Sequence, residues 1–167
     1  MRISDVKVLH LQYTNWQRML SKQRWYQVWE RLNYPRKRAI QIFRQYHHMT
    51  GWPDNEIYPV RPEWMNAYHT GGIDLTRSNS ELVTWWDRQI VDLLTRHGPA
   101  RFRKLAIWDT DWREVAALSG RTDARDTLRD PRGLLDRAIH RWLSATQPRM
   151  SCFRTRLVQQ ALRVAGW

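Results

Sequence analysis

The 167 residues have the length of one ordinary domain, and a hydrophobic content of 42% is enough for a core of their own. Eleven Trp argue against a disordered chain, and the sequence holds no run of about 18 apolar residues that would span a membrane. The formal net charge of +12 is uneven: residues 1–48 hold ten basic and two acidic side chains, residues 49–136 hold twelve and fourteen, and residues 137–167 hold six Arg and no acid.

The cysteine content and the N-terminal residues bear on location. The single Cys152 cannot form an internal disulfide bond. Residues Met1–Asp5 do not begin the long apolar stretch of a secretory signal. Both features are typical of proteins of a reducing compartment, so we predict a cytoplasmic location.

The pattern of apolar residues predicts a mainly α fold with about six helices, one N-terminal β-strand and at most one further short strand. Residues 1–48 form a basic strand-helix-helix segment, residues 49–79 an ordered loop anchored by aromatic side chains, and residues 80–167 a helical portion. Together they make one domain or a domain fragment.

The predicted strand covers Val6–Tyr13, which is rich in β-branched and aliphatic residues. A lone strand leaves its backbone groups unpaired, so this strand needs a neighbour. Residues Lys104–Trp108 are one weak partner, as a short strand or an extended connection. Pairing with a second copy of the chain would make the protein a homo-oligomer through this strand, and pairing with a sheet supplied by sequence upstream would make the chain a fragment.

Two helices are predicted in the first segment. The first is capped at Thr14 or Asn15 and runs to about Leu32, and the second places Pro35 in its first turn. Their inward stripes are Trp25, Val28, Trp29 and Leu32, and then Ala39, Ile40, Phe43 and His47.

The remaining helices are predicted from their capping residues. A capping box at Ser78–Glu81 opens a helix that ends at His97 before Gly98, and a second box at Asp111–Glu114 opens one that ends at Gly120. Asp130-Pro131 begins the next helix, which Gln147-Pro148 ends, and Ser151 caps the last. The expected stripes are Trp86, Ile90, Leu93, Leu94 and His97; Leu134, Leu135, Ala138, Ile139, Trp142 and Leu143; and Phe153, Leu157, Ala161 and Val164.

The basic ends predict a polyanion as partner, either nucleic acid or an anionic lipid surface. The candidate contacts are Arg36, Lys37, Arg38, Arg149, Arg154, Arg156 and Arg163. The sequence carries no signature of a DNA-reading or RNA-reading module, so any binding of nucleic acid is expected to be non-sequence-specific. The alternative is that these charges form only a solvated surface.

Several short runs carry a resemblance to a known family. They are VLHLQYTNW (Val8–Trp16), KQRWY (Lys22–Tyr26), PEWMNAY (Pro62–Tyr68) and a block from His97 to Trp108. Over residues 5–115 the chain resembles the stretch that follows the catalytic half of bacterial glycosyltransferase-like proteins with a GT-A, family 2-like fold.

The resemblance implies an accessory role and not a complete enzyme. The nucleotide-sugar domain, with its Asp-x-Asp metal motif and carboxylate base, would lie upstream, so the 167 residues alone are expected to show no transferase activity. His10 matches a ligand of the divalent metal, Mn²⁺ or Mg²⁺; its alternative is a half-buried, hydrogen-bonded imidazole. Lys22, Arg24 and Trp25 match the region that faces the acceptor or the diphosphate of the nucleotide-sugar, and Arg18 would add positive charge on the same helix. Ser21 stands where processive members have Gln, so processive polymer synthesis is not expected.

A second metal candidate is Asp109-Thr-Asp111, because two carboxylates at this spacing can hold a hard cation. The alternative role for Asp111 is that of a helix cap. The sequence thus leaves two hypotheses for function. The first is the C-terminal accessory part of a glycosyltransferase-like protein, and the second is a small basic protein that binds nucleic acid.

Overall fold

The computed structural model describes residues 15–47, 59–73, 81–124, 126–149 and 152–167. Within these ranges the chain forms seven α-helices and no β-strand, which confirms the mainly α prediction. The strand predicted at Val6–Tyr13, and the oligomerisation based on it, lie outside these ranges. Residues Lys104–Trp108 form turns and a bend and not a strand. Among the helices of these ranges, none combines the length and the apolar character needed to cross a membrane.

The helices are α1 (Trp16–Asn33), α2 (Ala39–Tyr46), α3 (Pro62–Thr70), α4 (Trp85–His97), α5 (Trp112–Leu118), α6 (Leu134–Ala145) and α7 (Phe153–Val164). α1 packs against α2 and α4, and α4 packs against α5. α2 also contacts α6 and α7 and so joins the two halves of the structure.

Two clusters of buried side chains make up the core. The larger one lies between α1, α4 and α5 and is completed by the turns at 102–108 and by Leu128. The smaller one lies between α2, α6 and the end of the chain. α2 contributes Ile42 to the larger cluster and Ile40 and Phe43 to the smaller, because these residues face opposite sides of the helix.

α1 begins as predicted but buries a partly polar face. Asn15 caps it, because its side-chain oxygen accepts a hydrogen bond from the Arg18 backbone N–H at 2.9 Å. Val28 is fully buried as predicted, whereas Trp29 stays exposed. Buried Ser21 and Gln27 take the other inward positions, and each finds a hydrogen-bond partner on another element.

Two boundaries in the first half differ from the prediction. α2 begins at Ala39 and not at Pro35, because the backbone N–H of Arg38 donates to the Gln41 side chain at 2.9 Å and fixes the helix start there. The part of 49–79 that the structure describes contains α3, so the loop prediction is wrong for those residues. Pro62 stands in the first turn of α3 and Gly71 at its end.

The start of α4 was also predicted wrongly. Thr84 and Asp87 form the capping box, with the Asp87 N–H donating to Thr84 Oγ1 at 3.3 Å and the Thr84 N–H donating to Asp87 Oδ2 at 2.9 Å. Glu81 lies before the helix. The end at Gly98 is confirmed, and its φ of +78° favours glycine there.

α6 begins three residues later than predicted. Asp130 does not cap it, because both of its carboxylate oxygens accept hydrogen bonds from Arg132, and α6 starts after Gly133. Leu134 and Leu135, expected in the core, are exposed, whereas Asp136 and the later His140 are buried.

α7 differs most from its prediction. Ser151 lies outside the described residues, and Cys152 precedes the helix. The apolar residues expected to face the core are exposed instead: Phe153, Leu157, Ala161 and Val164. The buried positions are the polar Thr155 and Gln159, with Leu162 partly buried beside them.

Candidate nucleic-acid interface

Three predicted site residues meet in a polar cleft between α1, α4 and the turn before α5. The polar cleft has a volume of about 480 Å³ and is lined by Arg18, Ser21, Arg24, Thr84, Asp87 and Asp109, among others. α1 places Arg18, Ser21 and Arg24 one turn apart on one side of the helix. The structure therefore joins two of the residues predicted to bind substrate with one predicted metal ligand.

Most charges in the polar cleft are already paired. Arg24 binds both carboxylate oxygens of Asp109, at 3.0 and 2.6 Å. Buried Asp87 accepts a hydrogen bond from Ser21 Oγ at 3.0 Å besides those from its cap partner. Arg18 has no ion pair with a described carboxylate, and its guanidinium carbon lies 5.3 Å from the ring centroid of Trp86.

The other two residues of this predicted set lie elsewhere on α1. Lys22 Nζ is 5.9 Å from the ring centroid of Tyr26. Trp25 packs against the larger core cluster. They do not line the polar cleft.

The metal-ligand predictions concern two aspartates and one histidine. Besides the Asp109 pairing, Asp111 caps α5 as predicted, and its carboxylate binds the Arg113 guanidinium, which lowers the pKa of Asp111. Within the described residues no group of three or more His, Cys, Asp or Glu is placed to hold a metal ion. His10 lies outside those residues, so metal binding stays a prediction.

The cationic side chains gather on a different face, where the end of α1 and the start of α2 meet the turn that follows α4. We call this the basic surface; it consists of Arg31, Arg38, Arg101, Arg103 and Lys104, whose charges lie within electrostatic range of one another. The Arg31 guanidinium donates to the Lys37 backbone carbonyl at 3.4 Å, and Lys104 Nζ donates to the Gly166 carbonyl at 2.7 Å. No described carboxylate forms an ion pair with any member of the basic surface.

Neighbouring positive charges add to the effect of burial on the pKa values of two members of the basic surface. Burial lowers the pKa of Lys104, and the positive charges of Arg103, Arg31 and Arg38 lower it further, whereas Asp136 acts in the opposite direction. Burial also lowers the pKa of Arg31, and the charge of Arg101 adds to this effect. Charges on separate segments therefore act on one another and create a region of positive potential.

The predicted polyanion contacts fall into three groups. Arg38 belongs to the basic surface, and Arg36, two residues earlier, is exposed as well. Lys37 forms an ion pair with Glu30 at 2.5 Å. Arg154, Arg156 and Arg163 are exposed on α7, and Arg149 lies in the 3-10 turn Gln147–Arg149 before that helix.

Sequence reasoning missed four of the five members of the basic surface, namely Arg31, Arg101, Arg103 and Lys104. The missed signal is the run Arg101-Phe102-Arg103-Lys104, which lies in the segment whose total charge is slightly negative. The net charge of a long segment does not reveal a short basic run when acidic residues elsewhere in the segment balance it. Phe102 is fully buried, and this anchors the run so that its basic neighbours are held at the surface.

Beside the basic surface lies a continuous series of aromatic side chains, which we call the aromatic row: Tyr34, Trp29, Trp25, Trp85 and Trp86. The ring centroids of neighbours are 5.7 Å apart for Tyr34 and Trp29, 6.4 Å for Trp29 and Trp25, 6.0 Å for Trp25 and Trp85, and 6.2 Å for Trp85 and Trp86. The row joins α1 to the first turn of α4. No pattern in the sequence indicates that these rings meet, because α1 and α4 are far apart along the chain.

Comparison with known protein families, curated proteins and solved structures gave no match. The resemblance to glycosyltransferase-like proteins therefore stays a prediction. The remaining basis for a function is the chemistry of the polar cleft, the basic surface and the aromatic row.

Proposed function

We propose that this protein binds nucleic acid without sequence specificity, through contacts between arginines and backbone phosphates. The observation that carries the proposal is the basic surface. Its exposed members Arg38, Arg101 and Arg103 have no carboxylate partner among the described residues. A polyphosphate supplies the missing negative charge.

The energetics favour phosphate over a solvated surface. Like charges that lower one another's pKa raise the free energy of the folded chain, and a bound polyanion relieves this repulsion. Contacts of Arg and Lys to phosphate fix the position of the strand but carry no sequence information. This fits a protein whose sequence lacks a base-reading motif.

The test is a titration of labelled oligonucleotides at about 50 and 200 mM salt, followed by fluorescence anisotropy. We expect the affinity to fall steeply with salt, because binding releases condensed counterions. In the variant Arg38→Gln/Arg103→Gln the slope of log K against log salt should shrink by about 1–2, roughly one unit for each lost phosphate contact.

A control variant of equal charge is Arg113→Gln/Arg121→Gln. Both of these arginines already pair with carboxylates, Arg113 with Asp111 and Arg121 with Asp92. The control should keep the affinity and salt slope of the unaltered protein. Binding that is insensitive to salt, or equal losses in the two variants, would refute the proposal.

The glycosyltransferase-related hypothesis has weaker support from the described residues. Arg24, which should face the acceptor or the diphosphate, is bound by Asp109, and Trp25 is partly buried against the core. A role for the polar cleft in holding a diphosphate would require the Arg24–Asp109 pair to open. His10 and the nucleotide-sugar domain belong to parts of the hypothesis that lie outside the described residues.

An anionic lipid surface is the second candidate partner, and one feature of α7 favours it. Because a helix advances about 100° per residue, Phe153, Leu157 and Val164 lie within about 40° of one another on the exposed face. Arg154 borders this apolar face on one side and Arg156 on the other. Apolar side chains flanked by arginine are typical of helices that lie in the headgroup region of a bilayer.

A further inference from the structure

We propose that the aromatic row makes the protein selective for single-stranded nucleic acid, with bases stacked on Trp29 and Trp85. The inference rests on the proposed function, since the basic surface supplies the phosphate contacts. It adds the form of nucleic acid that is bound and the side chains that recognise it. Stacking on aromatic rings tolerates any sequence, because every base has a π-face.

Trp29 and Trp85 are exposed to solvent, and they lie on either side of the Trp25 ring, which holds them in place. Trp29 is 37% exposed and Trp85 is 55% exposed, while Trp25 between them packs against the core. Large apolar rings are seldom left exposed in a group, and such a group marks a binding surface. Because Trp25 packs against the core, the neighbouring rings of Trp29 and Trp85 are positioned before any ligand binds.

The ring spacing decides how bases would bind. Stacked bases lie about 3.4 Å apart, so a base inserted between two rings needs about 7 Å between them. The ring centroid of Trp25 is only 6.4 Å from that of Trp29 and 6.0 Å from that of Trp85. Bases therefore do not enter between Trp25 and its neighbours, and they stack on the solvent-exposed parts of the Trp29 and Trp85 rings.

Cationic side chains stand at both ends of the aromatic row. At one end Tyr34 lines a cavity of about 740 Å³ together with Arg36 and with Lys37, whose charge is paired with Glu30 of the same cavity. At the other end the Arg18 guanidinium lies over Trp86. A strand whose bases stack on the row thus meets cations before and after it, and Arg36 leads on to the basic surface.

The same geometry disfavours two other ligands. In a duplex the faces of the bases are covered by their neighbours, so the aromatic row gains nothing from double-stranded DNA. A neutral sugar can also stack on Trp, but it gains nothing from Arg18, Arg36 and the basic surface. A single strand uses both features.

The experiment compares three probes by fluorescence anisotropy: an oligothymidylate of about 12 nucleotides, a duplex of equal length, and an abasic strand of equal length that keeps the phosphates but lacks bases. The unaltered protein should bind the oligothymidylate at least about fivefold more tightly than the abasic strand, which corresponds to the lower end of stacking free energies. The variant Trp29→Leu/Trp85→Leu should lose this preference and keep its affinity for the abasic strand.

The matched control is Trp64→Leu. Trp64 on α3 is 38% exposed, close to the 37% of Trp29, and the Arg61 guanidinium lies over its ring. Trp64 is not part of the aromatic row. It should keep the preference for bases. Where the double variant does not fold, Trp85→Gln replaces it, because Trp85 is the first residue of α4 and more than half exposed.

The two proposals fail in different ways. If the oligothymidylate and the abasic strand bind equally tightly, or if the tryptophan variants keep the preference, the aromatic row is not a stacking site and phosphate binding stands. If none of the three probes binds in a salt-dependent manner, the basic surface is not a phosphate site and both proposals fall. If a neutral oligosaccharide binds tightly and none of the three probes does, both proposals also fall.

Discussion

His140 lies buried on α6 with one hydrogen-bond partner for each ring nitrogen. Nε2 is 3.1 Å from the Lys104 carbonyl oxygen, which can only accept, so Nε2 carries a proton. Nδ1 is 3.3 Å from an Arg132 guanidinium nitrogen, which can only donate, so Nδ1 accepts. The ring is thus held in one neutral tautomer, and a second proton would have to displace Arg132.

The pKa of His140 follows from this arrangement. Burial lowers it, and the charge of Arg132 lowers it further, whereas the Lys104 carbonyl and Asp136 favour protonation. The unfolded chain takes up the proton at a pH near 6.5, and the folded chain does not. We therefore expect the contribution of His140 to the free energy of unfolding to be constant above about pH 7.5 and to fall as the pH drops through 6.5.

Urea unfolding at several values between pH 7.5 and 5.5 measures this. His140→Gln keeps a donor and an acceptor at the position and should make the decline shallower. Part of it remains, because burial also lowers the pKa of His47. His69→Gln, at an exposed position, is the control and should leave the decline unchanged. An equal decline in all three proteins would contradict the role of His140.

The predicted capping residues show when a local sequence pattern is sufficient to predict the start of a helix. Asn15 and Asp111 cap helices as predicted, because each needs only the backbone of the following turn. Asp130 fits the same rule, but Arg132 two residues later binds its carboxylate. The sequence offers both partners, and the choice between them depends on Arg132 also reaching the Trp108 carbonyl, a contact that only the fold provides.

At the scale of the helix, periodicity indicates which residues share a face but not which face turns inward. α7 has the predicted apolar stripe, yet its opposite side packs on the structure. Its position is fixed from the end of the chain, where Trp167 is buried next to His140, with ring centroids 5.3 Å apart, and near Lys104. Since this anchor lies beyond the helix, the pattern within α7 could not reveal it.

The orientation of α7 leads to a prediction about two leucines. Leu157→Ser should change the free energy of unfolding by less than about 0.5 kcal/mol, because Leu157 is exposed on α7. Leu143→Ala should cost about 2–5 kcal/mol, because Leu143 is fully buried in the smaller core cluster. Urea unfolding of the two variants measures both values. A large loss for Leu157→Ser would show that its face is covered.

The same leucine separates the lipid candidate from a surface without a partner. If α7 lies on an anionic bilayer, Leu157→Ser should reduce co-sedimentation with vesicles that contain phosphatidylserine while leaving stability unchanged. Arg129→Gln, which removes an exposed charge between α5 and α6, should reduce co-sedimentation much less. Equal sedimentation of the unaltered protein with anionic and neutral vesicles would count against lipid as a partner.

At the scale of the whole molecule, the basic ends were visible in the sequence but their arrangement was not. The Arg101–Lys104 run comes from the middle of the chain and lies beside Arg31 and Arg38. The aromatic row likewise joins residues of α1 to residues of α4. Composition therefore led only to the class of partner, a polyanion, which stays a prediction, whereas the candidate site depends on contacts between segments that are distant in sequence.

The net charge of +12 leads to the last prediction, on stability and salt. Folding brings Arg31, Arg38 and Arg103 within electrostatic range of Lys104, and this repulsion is screened as the Debye length falls from about 30 Å at 0.01 M to about 8 Å at 0.15 M salt. Surface ion pairs such as Arg113–Asp111 weaken at the same time, but each contributes only about 0–1 kcal/mol. We expect added NaCl to raise the unfolding temperature.

The variant Arg38→Gln/Arg103→Gln should unfold at a higher temperature than the unaltered protein in low salt and respond less to NaCl, while Arg113→Gln/Arg121→Gln should show no such gain. Thermal unfolding in a salt series decides this: a steady fall in unfolding temperature with salt would mean that attraction and not repulsion dominates. If the expected gain accompanies the loss of oligonucleotide binding in the same variant, the basic surface lowers stability in order to bind phosphate, which a merely solvated surface would not do.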